Sequence, residues 1–436
     1  MAKTAIIGLG ITGLSCLRYL HGRTPLVVLD SRADPLQAPE ARQDFPDVEY
    51  VLGVSGYDFQ GVDRAVVSPG VNLDACLVAD ATRCGVSLSS DIDLFCEAAQ
   101  APVLAITGTN GKSTVTELTG HLLTSAGFDC GVGGNLGRPA LDLLDPARTC
   151  YVLELSSFQL ERLGVWGVAA ATILNISDDH LDRHGSVAQY IASKQRIYRD
   201  CRAAIVNRAD AHSRPADPVE RIVTFGLDEP DVGDWGLRDG WLMVGERRVI
   251  SSAELPLPGT HNVENALAAC ALAAAAGAPV GTMAAALRSF RGLPHRTQTV
   301  LDKDGVTFID DSKATNVGAT LAALHGLGAA GGKRLILIAG GDGKGADFAE
   351  LREPVGRYVK ALVVLGKDGP RLQAELADVV PIYAAAGMAA AVARAVMLAA
   401  PGDTVLLSPA CASLDMFENF AERGERFREA VLERTQ

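Results

Sequence analysis

Gly108-Thr109-Asn110-Gly111-Lys112-Ser113-Thr114 sets glycines, a lysine and hydroxyls side by side, between a strand-like apolar run and a helical pattern. Glycines leave backbone N–H groups free to face an anion, a lysine there reaches the β and γ phosphates, and the next hydroxyl suits Mg²⁺. The chemistry implied is capture of a nucleoside triphosphate. The spacing departs from the usual phosphate-loop pattern, because Ile106 stands where that pattern has its first glycine. A turn that binds nothing is the plain alternative.

A second glycine motif, Gly8-Leu-Gly10-Ile11-Thr12-Gly13, also follows a strand-like run, and Asp30 ends the next one. Glycines allow a pyrophosphate to approach and the acid binds a ribose hydroxyl, so the motif alone favours NAD. A nucleotide-sugar diphosphate asks for the same geometry, and a tight turn without ligand gives the same letters. Two phosphate motifs in one chain suggest a triphosphate meeting a second, nucleotide-bearing substrate.

Acidic groups beyond strand ends on the phosphate side suit Mg²⁺, which takes oxygen ligands together with phosphate. Glu154-Leu-Ser156-Ser157-Phe-Gln159 and Asn175-Ile-Ser-Asp-Asp179-His180-Leu-Asp182 both fit that position. His180 stands among aspartates, which favours a ligand or substrate role over a structural one. Lys194, further along a helical pattern, reads on its residues alone as a solvated surface lysine.

The elements that must position these groups alternate throughout, which predicts an α/β protein with parallel sheets covered by helices. Strands are expected at 5–8, 26–30, 64–68 and 86–88 in a first unit. A second unit opens near Asp91, with strands at 103–107, 151–155, 169–175 and 203–207 and a helix from Lys112. Its end, 208–257, is richer in Pro, Gly and charge and predicts an irregular or antiparallel edge with Trp235 and Trp241 in a hairpin. Alanine-rich helices follow at 263–276 and 280–289. Arg291-Gly-Leu-Pro-His295 reads as a linker to a third unit with strands at 306–309, 335–339, 362–365 and 405–408.

At 436 residues the chain is long enough for about three domains. Forty Lys plus Arg against 52 Asp plus Glu give −12, which disfavours a general grip on nucleic acid. The longest apolar stretch, 266–280, is shorter than the roughly 20 residues of a membrane span, so it reads as a buried helix and no membrane partner is expected. The N-terminal apolar run is broken by glycines and reads as the first strand rather than a signal peptide. Nine scattered cysteines without a CxxC pair argue against a disulfide framework or zinc knuckle and for a cytoplasmic protein.

The phosphate motif, Asp179-His180-Leu-Asp182, and Gly259-Thr-His261-Asn262-Val-Glu-Asn265 with Leu293-Pro-His295-Arg296 together resemble the Mur ligase superfamily, which also contains folylpolyglutamate synthetases. Asp311-Ser-Lys313-Ala-Thr315-Asn316, Gly340-Gly-Asp-Gly-Lys344 and Ser408-Pro-Ala-Cys-Ala-Ser413-Leu-Asp-Met-Phe417-Glu-Asn-Phe420 are similar to its D-glutamate-adding branch. Other branches carry a Tyr-Ala-His type sequence where Ser-Lys-Ala-Thr-Asn stands here. The resemblance spans nearly the whole chain.

It implies three domains: a Rossmann-like UDP-sugar domain at 1–90, a central phosphate-loop ATPase domain at 91–292, and a Rossmann-like amino-acid domain at 293–436. It implies an ATP-dependent ligase that adds D-glutamate to UDP-N-acetylmuramoyl-L-alanine through an acyl phosphate, as a cytoplasmic monomer in peptidoglycan precursor synthesis. Gly8, Gly10, Ile11, Thr12, Gly13, Asp30, Arg32, Ser68 and Gly70 would then serve UDP rather than NAD, with Asn135 and His180 positioning the muramoyl part. Gly108, Thr109, Asn110, Gly111, Lys112, Ser113, Thr114, Asn262, Asn265, Arg296 and Asp311 would bind ATP. Two Mg²⁺ are implied, on Ser113, Glu154, His180 and Lys194. Lys194 matches the family's carbamylated lysine, so the resemblance turns a surface residue into a metal ligand and, with His180 and Lys112, a catalytic one. Lys313, Thr315, Lys344 and Ser413 would hold D-glutamate, with Phe420 packing nearby.

Asp310 replaces a common Asn and Gln298 a common Glu, both keeping hydrogen-bonding capacity. A nicotinamide-dependent oxidoreductase built on the first motif leaves the phosphate loop and the third-unit motifs unexplained. A non-catalytic regulator that binds ATP and a UDP-sugar has the same motifs.

Overall fold

The structure is a computed structural model that describes residues 3–164, 166–177, 181–328 and 332–434. The first sheet contains β1 (Lys3–Ile7), β2 (Leu26–Asp30), β3 (Glu49–Leu52), β4 (Val62–Val67) and β5 (Ser87–Ser89), in the order β3-β2-β1-β4-β5. All four pairings are parallel. The strand order reverses between β1 and β4, and a crevice opens beyond their C-terminal ends, where ligands of such sheets sit. Gly8 follows β1 and Ser68 follows β4, so both expected ligand turns lie at that crevice.

The second sheet contains β6 (Val103–Thr107), β7 (Cys130–Gly134), β8 (Cys150–Glu154), β9 (Val168–Ile173), β10 (Cys201–Asn207), β11 (Arg221–Phe225), β12 (Trp235–Arg238), β13 (Trp241–Val244) and β14 (Arg247–Ser251). Its order is β14-β13-β12-β11-β10-β9-β6-β8-β7. The β6 and β8 runs are wholly buried, as strands covered on both faces must be. The antiparallel edge is a hairpin of β12 and β13, turned at Asp239 and Gly240 with φ of 50° and 75°, a pairing that suits the twist of a two-residue loop. Residues 266–273 are buried in the helix Thr260–Ala275, which packs on the helix Lys112–Ser125 behind the phosphate loop. Among the described residues no helix is long and apolar enough to cross a membrane.

The third sheet contains β15 (Gln298–Lys303), β16 (Val306–Asp310), β17 (Leu335–Gly340), β18 (Val359–Leu365), β19 (Ile382–Ala384) and β20 (Thr404–Leu407), in the order β15-β16-β20-β17-β18-β19. Only β15 runs antiparallel to its neighbour.

The edge strands β3, β7, β15 and β19 have no counterpart among the expected strands, and neither has the interior β11, which runs parallel to β10 inside the stretch expected to be irregular or antiparallel. Edge strands carry exposed polar residues, as Glu49 and Gln298 do, and β7 has three glycines in five residues, a composition that argues against a strand. Contrary to expectation, the nine cysteines are not all unpaired. Cys130 and Cys150 face each other across β7 and β8 with Cα atoms 5.0 Å apart and are joined as a disulfide. Only the parallel register brings these two together. The remaining cysteines are free, so there is one pair and no framework.

Candidate active site

The loop after β6 turns into the helix Lys112–Ser125 without any side-chain cap, which leaves its first N–H groups for a ligand. Gly111 holds φ at 82°, and a Cβ there would stand 2.5 Å from Asn265 Oδ1. Lys112 Nζ folds back on the loop, donating to the carbonyls of Gly108 at 3.0 Å and Thr109 at 2.8 Å. Asn110 N donates to Asn175 Oδ1 at 2.8 Å, and Thr109 Oγ1 donates to the Ser177 carbonyl at 3.1 Å. Thr109, Ser113 and Thr114 are buried. Asn262 Nδ2 donates to the Pro258 carbonyl at 2.7 Å and Asn265 Nδ2 to Asn262 Oδ1 at 3.2 Å, which braces the start of the helix Thr260–Ala275, whose Asn265 stands against Gly111.

At the end of β8, Glu154 is 3 % exposed. Ser113 Oγ donates to its Oε2 at 2.5 Å and Asn135 Nδ2 to its Oε1 at 2.8 Å. A carboxylate buried so far needs a cation. Arg296, from the third domain, donates through Nη2 to Ser113 Oγ at 2.6 Å. Burial pulls the Arg296 guanidinium below the usual arginine range, against the pull of Glu154 and Asp311 in the other direction. Among the described residues no three His, Cys, Asp or Glu side chains converge on a metal-sized point, and the oxygens of Ser113 and Glu154 stand together at the start of the helix after the phosphate loop. A hydroxyl and a buried carboxylate beside a phosphate loop fit a hard divalent cation.

Lys194 is buried, not solvated, which overturns its reading as a surface lysine. Its Nζ donates to the Gly108 carbonyl at 2.8 Å and to Thr107 Oγ1 at 3.3 Å, and lies 4.6 Å from the centre of the Tyr190 ring. One helical turn separates Tyr190 from Lys194, so the ring covers the lysine stem from its own helix, Val187–Gln195. His180 and Asp179 lie outside the described residues.

In the first domain Gly10 opens the helix Ile11–Leu20 without a side-chain cap, and Ile11 is 63 % exposed at its tip, with Thr12 beside it. A Cβ at Gly13 would collide with the Gly8 carbonyl. The Gly8 carbonyl also accepts from Ser68 Oγ at 2.7 Å, which locks the glycine loop to the exposed Gly70 turn. Asp30 Oδ2 accepts from Leu9 N at 2.7 Å, and Arg32 Nη2 donates to the same oxygen at 2.7 Å. The Asp30 carboxyl is buried, and Arg32 and these N–H groups hold it below its ordinary range in spite of burial. The pair shapes the loop from beneath and leaves the rest of the Arg32 guanidinium facing outward.

The third domain supplies Asp311, Lys313, Thr315, Lys344, Ser413 and Phe420. Burial pushes the Asp311 carboxyl up to about 7, although Ser408 Oγ and Thr297 N donate to it at 2.9 and 3.1 Å. Lys313 Nζ lies 4.1 Å from the centre of the Phe420 ring. Burial, with Arg296, Lys112 and Lys344 adding repulsion, brings its ammonium down to about 8. Thr315 N donates to the Lys313 carbonyl at 2.8 Å, Ser413 is buried, and Lys344 takes a left-handed φ of 49° with its N–H on Asp342 Oδ1 at 2.9 Å. Lys313 thus feels the charge of Lys112, Arg296 and Lys344 where the second and third domains meet.

Several further contributors have no ligand assigned to them. Arg162 and Arg183 of the second domain both donate to the Val71 carbonyl of the first, Arg183 at 3.1 Å. His261 is wedged between Gly259 and Gly326 at the join of the second and third domains, and burial pushes its imidazole down to about 4. Arg423, in the helix Phe420–Arg434, is buried. A single arginine in a charged helical run gives no sign of burial, so no sequence signal could have found it.

A three-unit α/β chain with a phosphate loop facing a cationic cleft is the architecture of a nucleotide-dependent ligase. Family models match in three consecutive blocks: the Mur ligase MurD-like N-terminal domain over residues 2–90, the Mur ligase middle domain over 106–273, and the Mur ligase glutamate ligase domain over 295–411. The chain belongs to the Mur ligase family. Two relatives that bear the name UDP-N-acetylmuramoylalanine--D-glutamate ligase cover almost all of it. That of Marinobacter nauticus is 48 % identical over 98 % of both chains, and that of Pseudomonas aeruginosa is 49 % identical over 98 % of this chain and 97 % of its own. The fold is similar to that of MurF from Acinetobacter baumannii, with a TM-score of 0.64 and 21 % identity over 98 % of this chain and 93 % of that one.

Proposed function

We propose that the protein is an ATP-dependent, ADP-forming ligase that joins D-glutamate to UDP-N-acetylmuramoyl-L-alanine in cytoplasmic peptidoglycan precursor synthesis. The observation that carries this reading is 49 % identity, end to end, with a relative of that name. The cationic cleft supports it, because each substrate brings phosphates or carboxylates.

Roles divide near residues 90 and 292. In the first domain, Gly8, Gly10, Ile11, Thr12, Gly13, Asp30, Arg32, Ser68 and Gly70 hold the uridine diphosphate. The loop Gly108–Thr114, with Asn262, Asn265, Arg296 and Asp311, holds ATP, and Lys112 unfolds from the loop carbonyls onto its phosphates. Asn135, already fixed on Glu154, and His180 orient the muramoyl part. Ser113, Glu154, His180 and Lys194 are the residues for two Mg²⁺, which when bound offset the charge of the phosphoryl group in transfer. For Lys194 this requires its neutral amine to add CO₂ and lose a proton, which makes a carbamate.

The alanyl carboxylate attacks the γ-phosphorus, ADP leaves, and an acyl phosphate forms. The amine of D-glutamate, held through its carboxylates by Lys313, Thr315, Lys344 and Ser413 against Phe420, attacks the acyl carbon. Phosphate leaves with the former carboxylate oxygen, and the amine's proton goes to solvent or base. A cleft between two domains keeps water from the acyl phosphate until the amine arrives. The reading takes the protein as a monomer, since one chain supplies every group named.

ADP release with ATP, Mg²⁺, UDP-N-acetylmuramoyl-L-alanine and a panel of amino acids tests the reading. Turnover is expected with D-glutamate. ADP release that does not depend on both substrates, or turnover with another amino acid only, overturns it.

A further inference from the structure

Arg423, in the helix Phe420–Arg434, is 1 % exposed and among the largest fully buried side chains. A buried guanidinium must find acceptors for its donors, and none of those found here is a carboxylate. Nε donates to Ser312 Oγ at 2.9 Å, Nη2 to the Ser312 carbonyl at 2.7 Å, and Nη1 to the Cys411 carbonyl at 3.0 Å. Ser312 Oγ in turn donates to the Phe420 carbonyl at 2.8 Å. Burial brings the guanidinium down to about 10, so it stays charged at neutral pH, held by carbonyl dipoles.

The two turns it joins carry the side chains assigned above to the incoming amino acid. Ser312 lies between Asp311 and Lys313, Cys411 stands two residues before Ser413, and the Phe420 ring lies under Lys313 Nζ. A planar fork with fixed donor directions sets the spacing of three acceptors in a way that an apolar side chain of equal volume does not. We propose that Arg423 is the positioning residue of the amino-acid subsite: it fixes the Ser312–Thr315 turn against the Cys411–Phe420 segment and touches no substrate itself.

The inference rests on the D-glutamate reading of those residues, and one set of measurements separates the two. In Arg423→Lys one nitrogen replaces the fork. The KM for D-glutamate is expected to rise roughly tenfold or more, with the KM for ATP and for the UDP substrate within about twofold of wild type. The first half-reaction is read without D-glutamate, by adding hydroxylamine, which displaces phosphate from the acyl phosphate to leave a hydroxamate. Its rate is expected to stay within about twofold, which a general loss of structure does not allow. Ser312→Ala, a smaller change, removes one acceptor and is read in the same way if Arg423→Lys does not fold, with a rise of roughly threefold expected. All three KM values rising together, or an unmoved D-glutamate KM in a folded variant, overturns the proposal. A wild-type protein that does not use D-glutamate overturns the function instead.

Discussion

Arg296 Nη2 reaches across from the third domain to donate to Ser113 Oγ, on the helix that follows the phosphate loop, at 2.6 Å. Ser113 in turn donates to Glu154, so the guanidinium offsets a carboxylate that water does not reach. Truncating one partner of such a buried arrangement costs about 2–5 kcal/mol. Arg296→Ala is expected to raise the KM for ATP by roughly 30- to 4,000-fold, at about 1.4 kcal/mol for each factor of ten. Arg296→Lys should recover part of the loss, because charge returns without the fork. Initial rates at varied ATP check this, and an unchanged KM in the alanine variant counts against the contact.

Lys194 donates to the Gly108 carbonyl from a buried position, so its amine already faces the phosphate side. As a carbamate it would carry a negative charge to the same place. Lys194→Ala should lose roughly 100-fold or more in rate, as loss of a group that holds a metal does. Acetate or formate should restore part of it by filling the space with a carboxylate, and removal of CO₂ should slow the wild type. Full activity of the alanine variant without additives refutes the carbamate.

The strand, loop and helix around Lys112 are legible in the sequence because glycine spacing, an apolar run before it and a helical pattern after it are local. Lys194 is legible only through resemblance. Its burial comes from Tyr190 on its own helix and from loop carbonyls far away in sequence, and neither leaves a mark on hydrophobic periodicity. The same holds for Cys130 and Cys150, which become partners through strand register, and for Arg423, whose acceptors lie on two distant turns. Parallel strands at sheet centres are legible as unbroken apolar runs, whereas the glycine-rich β7 carries no strand signal although it brings Asn135 to Glu154.

Burial and neighbouring cations bring Lys313 down to about 8. Its ammonium is therefore present below that pH and lost above it, and with it the attraction for a carboxylate. kcat/KM for D-glutamate, which reports the free enzyme, should stop rising with pH near 8, although deprotonation of the substrate amine would carry it further. Lys313→Arg keeps its charge and should extend the rise to higher pH. Identical pH profiles for the two proteins would show that Lys313 does not set the limit.

Asp91 opens the helix Asp91–Ala98 at the join of the first and second domains, buried, with Gln159 Nε2 donating to it at 3.3 Å. Burial raises its carboxyl to about 6. An unfolded chain ionises near pH 4, so between about 4 and 6 the folded protein holds a proton that the unfolded one has released. Stability therefore falls as pH rises through that window and stays lowered above it. The loss amounts to about 3 kcal/mol at most for a shift of that size. Asp91→Asn keeps the shape and the helix start but removes the ionisation, so the variant should gain on the wild type as pH rises from 4 to 8. The measurement is thermal unfolding of both proteins at the two pH values. The difference in Tm, variant minus wild type, should be a few degrees larger at pH 8. A difference that is equal at both, or larger at pH 4, means that the Asp91 carboxyl is ionised in the folded protein as readily as in water.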